Sequence, residues 1–205
     1  MHLVNTICSV VCIQAHRLEA ENLAFHQEQM ERLIARELRI AIHDGASLFR
    51  IGMNMGADIW TALHILDLRD HFFPHIRLHC YLPCETQAVH WPEDWREPYF
   101  DVLARADEVL ILQGHYTRGC LARRNQEMLK GSGRLFAVHD NIADGGIDHA
   151  IRYAEARGIE VTVIRPLEGP PVPLHLSHHS VRRLQTSSAY AEMSSRGRSA
   201  IKRAW

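Results

Sequence analysis

The sequence predicts an α/β fold with a doubly wound, mainly parallel sheet of about six strands and five helices. Short β-branched apolar runs alternate with longer amphipathic segments up to about residue 166. The apolar runs are continuous rather than alternating, as expected for strands that are buried on both faces. Strands and helices in this order fold as parallel units that are joined by right-handed crossovers.

Each predicted element has its own local signal. The strands are predicted at the apolar runs Ile7–Ile13, Leu48–Ile51, Ile76–Leu82, Val109–Leu112, Leu135–Val138 and Val161–Ile164. The helices are predicted between them, at Leu23–Ile42, Ala57–Leu68, Glu93–Ala106, Cys120–Leu129 and Ile147–Arg157. The first helix repeats its apolar residues at the helical period, and the second opens after Gly56. The third follows Trp91-Pro92, because proline fits the first turn of a helix. The last two are closed by Gly131 and Gly158.

Composition divides the chain into a domain and a tail. The 205 residues are 46% hydrophobic, enough for one substantial core. The formal net charge is −1, and Leu167–Trp205 carries six Lys/Arg against two Asp/Glu, so the tail is basic and the rest acidic. The proline-rich segment Gly169-Pro-Pro-Val-Pro is predicted to be a semi-rigid linker that leads out of the domain. We predict a ligand-binding domain over residues 1–166 and a disordered Pro/Ser/Arg/His tail over residues 167–205.

The sequence also predicts a reduced, cytoplasmic protein. Its five cysteines form no compact disulfide framework. The N-terminal apolar run lacks the basic residues that open a secretory signal. No run reaches the roughly 20 apolar residues that span a bilayer. We therefore expect no membrane partner.

The histidines raise the question of a metal site. His71, His75 and His79 are spaced by four, and Cys80 and Cys84 follow. Pro74 interrupts any helix that would align the histidines. In a strand, the two cysteines would lie roughly 13 Å apart, too far to share a metal. No metal is expected.

The most distinctive stretch is Ser47–Trp60, where a predicted strand ends in Gly52 and a helix begins after Gly56 and Asp58. The pattern Gly-x-x-x-Gly-x-Asp is neither the dinucleotide fingerprint nor a P-loop. Two glycines before a helix bring backbone N–H groups close to a bound anion. The pattern predicts a phosphate-binding turn, and the alternative is a tight turn without a ligand.

Four motifs occur together in one order. They are Gly52-Met-x-x-Gly-Ala-Asp-Ile-Trp60, Pro83-Cys-Glu-Thr-Gln87, Arg124-Asn-x-x-Met128 and the Gly145-Gly146 turn. Together they resemble the YpsA-like branch of the SLOG superfamily, over roughly Val10 to Pro166. The resemblance implies a Rossmann-like fold, related to the LOG phosphoribohydrolases and to the DNA-processing protein A family. It also implies a nucleotide-derived ligand at the carboxyl edge of the sheet.

The resemblance singles out His16 and Arg17 after the first strand. The family motif Thr-Gly-His-Arg-Pro reads Gln14-Ala15-His16-Arg17-Leu18 here, without the flexible glycine and the stiff proline. Arg17 is expected to bind a phosphate through its guanidinium fork. The alternative is a surface arginine paired with a nearby acid.

Three acids at the same edge are further candidates. Asp58 would repel a phosphate, so it is expected to bind a ribose hydroxyl or to hold Arg17, unless it only stabilises its helix. Glu85, after the third strand, is either a ligand-edge carboxylate or a solvated loop acid. Asp140 ends the fifth strand, and with Gly145-Gly146 it forms a second candidate phosphate turn.

Arg124 and Asn125 resemble the Arg-Lys-x-x-Met segment of LOG enzymes, in which the Arg serves catalysis. Asn125 replaces the Lys and offers uncharged hydrogen bonds; the alternative is an exposed helix face. LOG enzymes carry Pro-Gly-Gly-x-Gly-Thr-x-x-Glu where this chain has Asp144-Gly-Gly-Ile-Asp-His-Ala-Ile151. The Thr and the Glu are absent, which leaves Asp148 or Glu127 as a substitute carboxylate.

We therefore predict the binding or sensing of a small nucleotide-derived ligand, such as a nucleotide or an NAD- or ADP-ribose-type molecule. The alternative is a hydrolase or transferase of a nucleotide N-glycosidic bond, which needs a carboxylate or water-activating group near the ribose C1′. Whether a reaction is catalysed, and whether the chain forms homo-oligomers, stays open. Single-stranded nucleic acid needs a basic groove with stacking aromatics, so the acidic residues 1–166 argue against a nucleic-acid partner.

Overall fold

A computed structural model describes residues 6–12, 23–139, 145–165 and 172–173 of the chain. The described strands are β1 (Thr6–Cys12), β2 (Ala46–Ile51), β3 (Arg77–Leu82), β4 (Glu108–Ile111), β5 (Arg134–Val138), β6 (Glu160–Ile164) and β7 (Val172–Pro173). The described helices are α1 (Leu23–His43), α2 (Ala57–His71), α3 (Glu93–Arg105), α4 (Cys120–Leu129) and α5 (Gly145–Glu155).

The strands form one sheet in the spatial order β4-β3-β2-β1-β5-β6-β7. Neighbouring strands from β4 to β6 are parallel, and β7 runs antiparallel to β6. Helices α1, α2 and α3 pack side by side, and α4 packs against α5. Right-handed crossovers to the two sides of β1 place these groups on opposite faces. The predicted doubly wound α/β fold, with six parallel strands and five helices, is confirmed.

The core lies between the central strands and the helices on both faces. Phe49, Ile51, Leu78 and Phe136 from three central strands are all almost fully buried. Strand β4 lies at the edge of the sheet and differs, because most of its side chains are exposed. The continuous apolar pattern thus reflects burial on two faces in inner strands such as β5 and β6, as the sequence predicted, but not in the edge strand β4.

Helix α3 continues through an internal proline, Pro98. Proline removes one hydrogen bond from a helix interior. The helix is nevertheless anchored to the core, because Tyr99 and Val102 are buried. The prediction of one helix over Glu93–Ala106 is therefore correct to within one residue.

Ion pairs hold the amino edge of the sheet. The Asp107 carboxylate accepts hydrogen bonds from Arg77 Nη1 at 2.7 Å, from the Leu78 N–H at 2.8 Å and from Arg69 Nη1 at 3.0 Å. Burial alone would raise the pKa of Asp107, but these hydrogen bonds hold it below its ordinary value. The start of β4 is thereby fixed to the start of β3 and to the end of α2.

Strand β7 was not predicted. Thr162 pairs with Pro173 and Val163 with Val172, so two residues of the predicted tail add an antiparallel strand to β6. The rest of the tail, the proposed boundary at 166/167 and residues 13–22 and 140–144 lie outside the described residues. The division into domain and tail stays a prediction.

Candidate functional site

A cavity of about 490 Å³ lies at the carboxyl edge of the sheet, where β2, β3 and β4 end. Its wall comes from the loops that follow these three strands and from the start of α4. The lining residues are Asn54, Met55, Pro83, Cys84, Thr86, Gln87, Val89, His90, Trp91, Tyr116 and Leu121. Ligands of open α/β sheets bind at this edge, so the cavity is the candidate site.

The cavity wall contains the aromatic rings of His90, Trp91 and Tyr116 and no Asp, Glu, Lys or Arg among the described residues. Trp91 packs edge-on against buried Tyr99, with 5.1 Å between the ring centroids, so the indole has a fixed position. Tyr116 is 64% exposed and Val89 57% exposed, which places them at the mouth. The cavity therefore offers planar apolar surfaces, with Asn54, Thr86 and Gln87 as polar groups.

Side-chain hydrogen bonds from three places fix the loop between β2 and α2. Arg124 Nη1 donates to the Gly52 carbonyl, and Gln87 Nε2 donates to the Met53 carbonyl. The Asn54 N–H donates to Asp58 Oδ2 at 2.8 Å. Three consecutive residues of this loop are thus fixed by side chains from three different elements: Gly52 by α4, Met53 by the loop after β3, and Asn54 by α2.

Arg124 is 1% exposed and packs directly against Gly52. Its Nε donates to Asn125 Oδ1 at 2.9 Å, and Asn125 is also buried. A Cβ atom at residue 52 would lie 2.5 Å from the Arg124 Cζ and 2.9 Å from its Nε. Glycine at residue 52 therefore makes room for a guanidinium of the protein itself, a reason that the sequence pattern did not reveal.

Asp58 is fully buried in the first turn of α2. Its hydrogen bond to the Asn54 N–H ties the helix to the loop before it. This contact is compatible with the helix-stabilising interpretation of Asp58. Arg17, which is one of the two partners predicted for Asp58 beside a ribose hydroxyl, lies outside the described residues.

The other candidate residues lie around the cavity or apart from it. Gly56 is the N-cap of α2, at φ 107° and without a side-chain cap. Glu85 is exposed, and its N–H donates to the Gln113 carbonyl at 3.1 Å, which joins the loops after β3 and β4. Gly145 and Gly146 open α5 in exposed positions.

The two substitute carboxylates are both engaged. Asp148 Oδ1 lies 3.1 Å from Nε2 of His139, and Glu127 Oε1 lies 2.6 Å from Lys130 Nζ. Neither lines the cavity. His16, Arg17 and Asp140 lie outside the described residues. The predicted set of ligand-binding residues stays a prediction. The residues that line the cavity form a second, different set of candidates.

Sequence reasoning found the loops of the cavity but missed its lining residues. Asn54 and Met55 lie inside the glycine turn, and Thr86 and Gln87 lie inside the Pro83–Gln87 motif. These four could have been found by treating every position of the two motifs as a possible wall residue. Tyr116 lies in a loop without any motif, so nothing in the sequence indicated it.

Two buried cysteines, Cys8 and Cys80, are not activated. Burial, with a smaller contribution from the Asp58 carboxylate, raises the pKa of the Cys80 thiol to about 12. Burial also raises the pKa of Cys8 to about 12. A thiol with such a pKa stays protonated near neutral pH and is a poor nucleophile.

Among the described residues, no three His, Cys, Asp or Glu side chains come together as metal ligands. No described helix is both long and apolar enough to cross a membrane.

The family follows from the sequence comparison. Residues 23–167 match the family model YpsA, described as the YspA SLOG family. The chain belongs to this SLOG family. It is 26% identical to a UPF0398 protein of Bacillus cereus strain AH820, over 64% of this chain and 72% of that protein. A UPF0398 protein of Bacillus thuringiensis strain Al Hakam is 25% identical over the same shares. The resemblance inferred from the four motifs is confirmed.

A solved structure shares the fold. It is that of DNA processing protein A from Helicobacter pylori, a protein whose single-stranded DNA binding mode has been described. The TM-score is 0.51, the identity is 18%, and the match covers 95% of this chain and 75% of that chain. The prediction that argued against a nucleic-acid partner is wrong, because a protein that shares this fold binds single-stranded DNA. The net charge of residues 1–166 does not describe the charge at one edge of a sheet.

Proposed function

We propose that this SLOG protein binds a nucleotide-derived ligand with its base inside the carboxyl-edge cavity. The observation that carries the proposal is a cavity of about 490 Å³ with Trp91 and Tyr116 in its wall. Cavities of roughly 300–1,000 Å³ hold small ligands. A base can stack on an aromatic ring, and each such contact contributes about 1–3 kcal/mol.

The charge of the wall supports recognition of the base rather than of the phosphate. No lysine, arginine, aspartate or glutamate lines the cavity among the described residues. Gly52 is packed against a guanidinium of the protein, and the Asp58 carboxylate is buried beside the same turn. An uncharged ring therefore suits the interior, and a phosphate suits the solvent outside the cavity. A nucleoside and its monophosphate are expected to bind with similar affinity.

Binding is favoured over cleavage of the N-glycosidic bond. Cleavage needs a carboxylate or an activated water beside the ribose C1′. The substitute carboxylates Glu127 and Asp148 are engaged with Lys130 and His139, away from the cavity wall. We therefore propose a binding or sensing role, with an intact ligand.

Single-stranded nucleic acid is a second candidate ligand. The exposed Tyr116 ring at the mouth, followed at two positions by the exposed Arg118, combines a stacking surface with a cation. A protein of the same fold, DNA processing protein A, binds single-stranded DNA. A strand would place one base in the cavity and its phosphates along the rim.

The test is a thermal-shift and tryptophan-fluorescence titration with adenosine, AMP, ADP-ribose, NAD and a short thymidine oligonucleotide. Chromatography of each mixture afterwards detects released base. A shift with intact adenosine and AMP supports the proposal, and preference for the oligonucleotide supports the second candidate. Released base would establish the hydrolase instead. Absence of any shift would contradict ligand binding at this site.

A pair of matched variants localises the site. Tyr116→Ala removes an exposed ring at the mouth, and Phe100→Ala removes a ring that is 52% exposed on α3 and does not line the cavity. The proposal requires weaker binding for Tyr116→Ala alone. Equal effects of both variants would place the ligand elsewhere.

A further inference from the structure

Arg124 has the largest side chain among the fully buried residues that the structure describes. A buried guanidinium is costly unless its N–H groups are hydrogen-bonded. Two of the acceptors are the Gly52 carbonyl and Asn125 Oδ1. The guanidinium is therefore bonded to the Gly52 carbonyl, at the point where β2 ends and the cavity wall begins.

We propose that Arg124 is a positioning residue of the cavity. It fixes the backbone at Gly52, and thereby places the wall formed by Asn54 and Met55, without touching the ligand. The proposal rests on the proposed function for the identity of the ligand. The claim that Arg124 fixes the backbone at Gly52 concerns the protein alone, and we call it the geometric part.

The conformation of Met53 supports this role. Met53 is fully buried and has φ 55°, in the left-handed region that residues other than glycine rarely adopt. Such a backbone persists where its surroundings hold it. The carbonyls of Gly52 and Met53 are held by Arg124 and Gln87, on both sides of the strained residue. Gln87 also lines the cavity, so the same bonds connect the wall to α4.

The position of Arg124 separates this role from direct contact with a ligand. Its side chain is 1% exposed, it is absent from the cavity lining, and it fills the space beside Gly52. An arginine that bound a phosphate would need an N–H group facing the cavity. The geometry instead makes Gly52 and Arg124 a matched pair, in which either substitution disturbs the other.

The experiment uses four variants of the full chain: Gly52→Ala, Arg124→Met, the double variant, and Arg123→Met as an exposed neighbour on the same helix. Methyl-labelled methionine spectra without ligand report on Met53 and Met55. Titrations with adenosine and AMP report on the cavity. Arg124→Lys, which keeps a charged donor, replaces Arg124→Met if the latter does not fold.

Both single variants are expected to shift the Met53 and Met55 signals and to weaken adenosine and AMP equally, by at least about tenfold. The loss of affinity in the double variant is expected to be smaller than the product of the losses in the two single variants. The reason is that the new Cβ atom at residue 52 no longer meets the guanidinium. Arg123→Met should leave both signals and both affinities as they are.

Three results would overturn the proposal. One is an unchanged position of the two methionine signals in Arg124→Met, which would leave Arg124 as ordinary core packing. Another is a loss for AMP without a loss for adenosine, which would mean that Arg124 binds the phosphate. The third is a loss of affinity in the double variant that equals the product of the two single losses, which would mean that residues 52 and 124 act independently. If the parent protein binds no nucleotide, the proposed function fails, while the spectra still decide the geometric part.

Discussion

The two edges of the sheet are built from different interactions. At the amino edge, Asp107 joins Arg69 and Arg77, and Arg134 joins Asp44 and Glu160. At the carboxyl edge, the loop backbone of residues 52–54 is hydrogen-bonded to the side chains of Arg124, Gln87 and Asp58. The amino edge is held by ion pairs, and the cavity loop is held by hydrogen bonds that are partly or fully buried.

This difference predicts where the protein is sensitive to substitution. An exposed ion pair contributes about 0–1 kcal/mol, because water screens its charges. A buried hydrogen bond that loses one partner costs about 1–3 kcal/mol, because the other group stays unsatisfied. A substitution at the cavity loop should therefore matter more than one in the amino-edge network.

The largest effect is expected at Arg124. Arg124→Met leaves the Gly52 carbonyl and Asn125 Oδ1 without this donor, so the free energy of unfolding should fall by about 3 kcal/mol. Urea unfolding measures it. The matched change Arg123→Met, on the exposed face, should stay within about 0.5 kcal/mol of the parent. Equal losses in the two variants would contradict the comparison of the edges.

A smaller effect, on binding alone, is expected at Tyr116. Its ring is exposed at the cavity mouth, so Tyr116→Ala should leave the free energy of unfolding within about 0.5 kcal/mol of the parent. Lost stacking should weaken adenosine binding by about 1.5 kcal/mol, or roughly tenfold. Fluorescence titration measures the affinity. Unfolding at lower urea concentration would show that the ring supports the loop instead.

The smallest effect is expected at the amino edge. Asp107→Asn should lower the free energy of unfolding by about 1 kcal/mol at neutral pH and leave ligand affinity unchanged. The pKa of Asp107 is lowered in the folded protein. Its stabilisation is therefore present above the unfolded pKa of about 3.9 and is lost as the pH falls through the folded pKa. Unfolding curves of parent and variant should converge in that acidic range, and a constant gap would argue against the ion pairs.

The fold could be predicted because periodicity and burial determine it locally. Continuous apolar runs predicted six strands, and helical stripes predicted five helices, as observed. Strand β7 carries only two residues and no such pattern. Its pairing depends on β6, a partner that the local sequence does not show.

The candidate site was predicted less completely, for reasons that particular residues illustrate. Cys120, Arg124 and Met128 are spaced by four and form a buried stripe of α4. That spacing was visible in the sequence, but a charged residue in a family motif was interpreted as ligand-binding. Trp91 and Tyr116 line the same cavity only because two loops lie side by side, which no local pattern encodes. The sequence motifs thus identified the carboxyl edge of the sheet, whereas the residues that line the cavity come together only through tertiary contacts.

The central claim is that a base enters the carboxyl-edge cavity, and a methionine methyl spectrum recorded during adenosine titration tests it most directly. Met55 lines the cavity, whereas Met30 is buried in α1 and does not line it. We expect the Met55 signal to move in a saturable manner while the Met30 signal stays in place. A saturable response without any change at Met55, or no response up to millimolar adenosine, would contradict the claim.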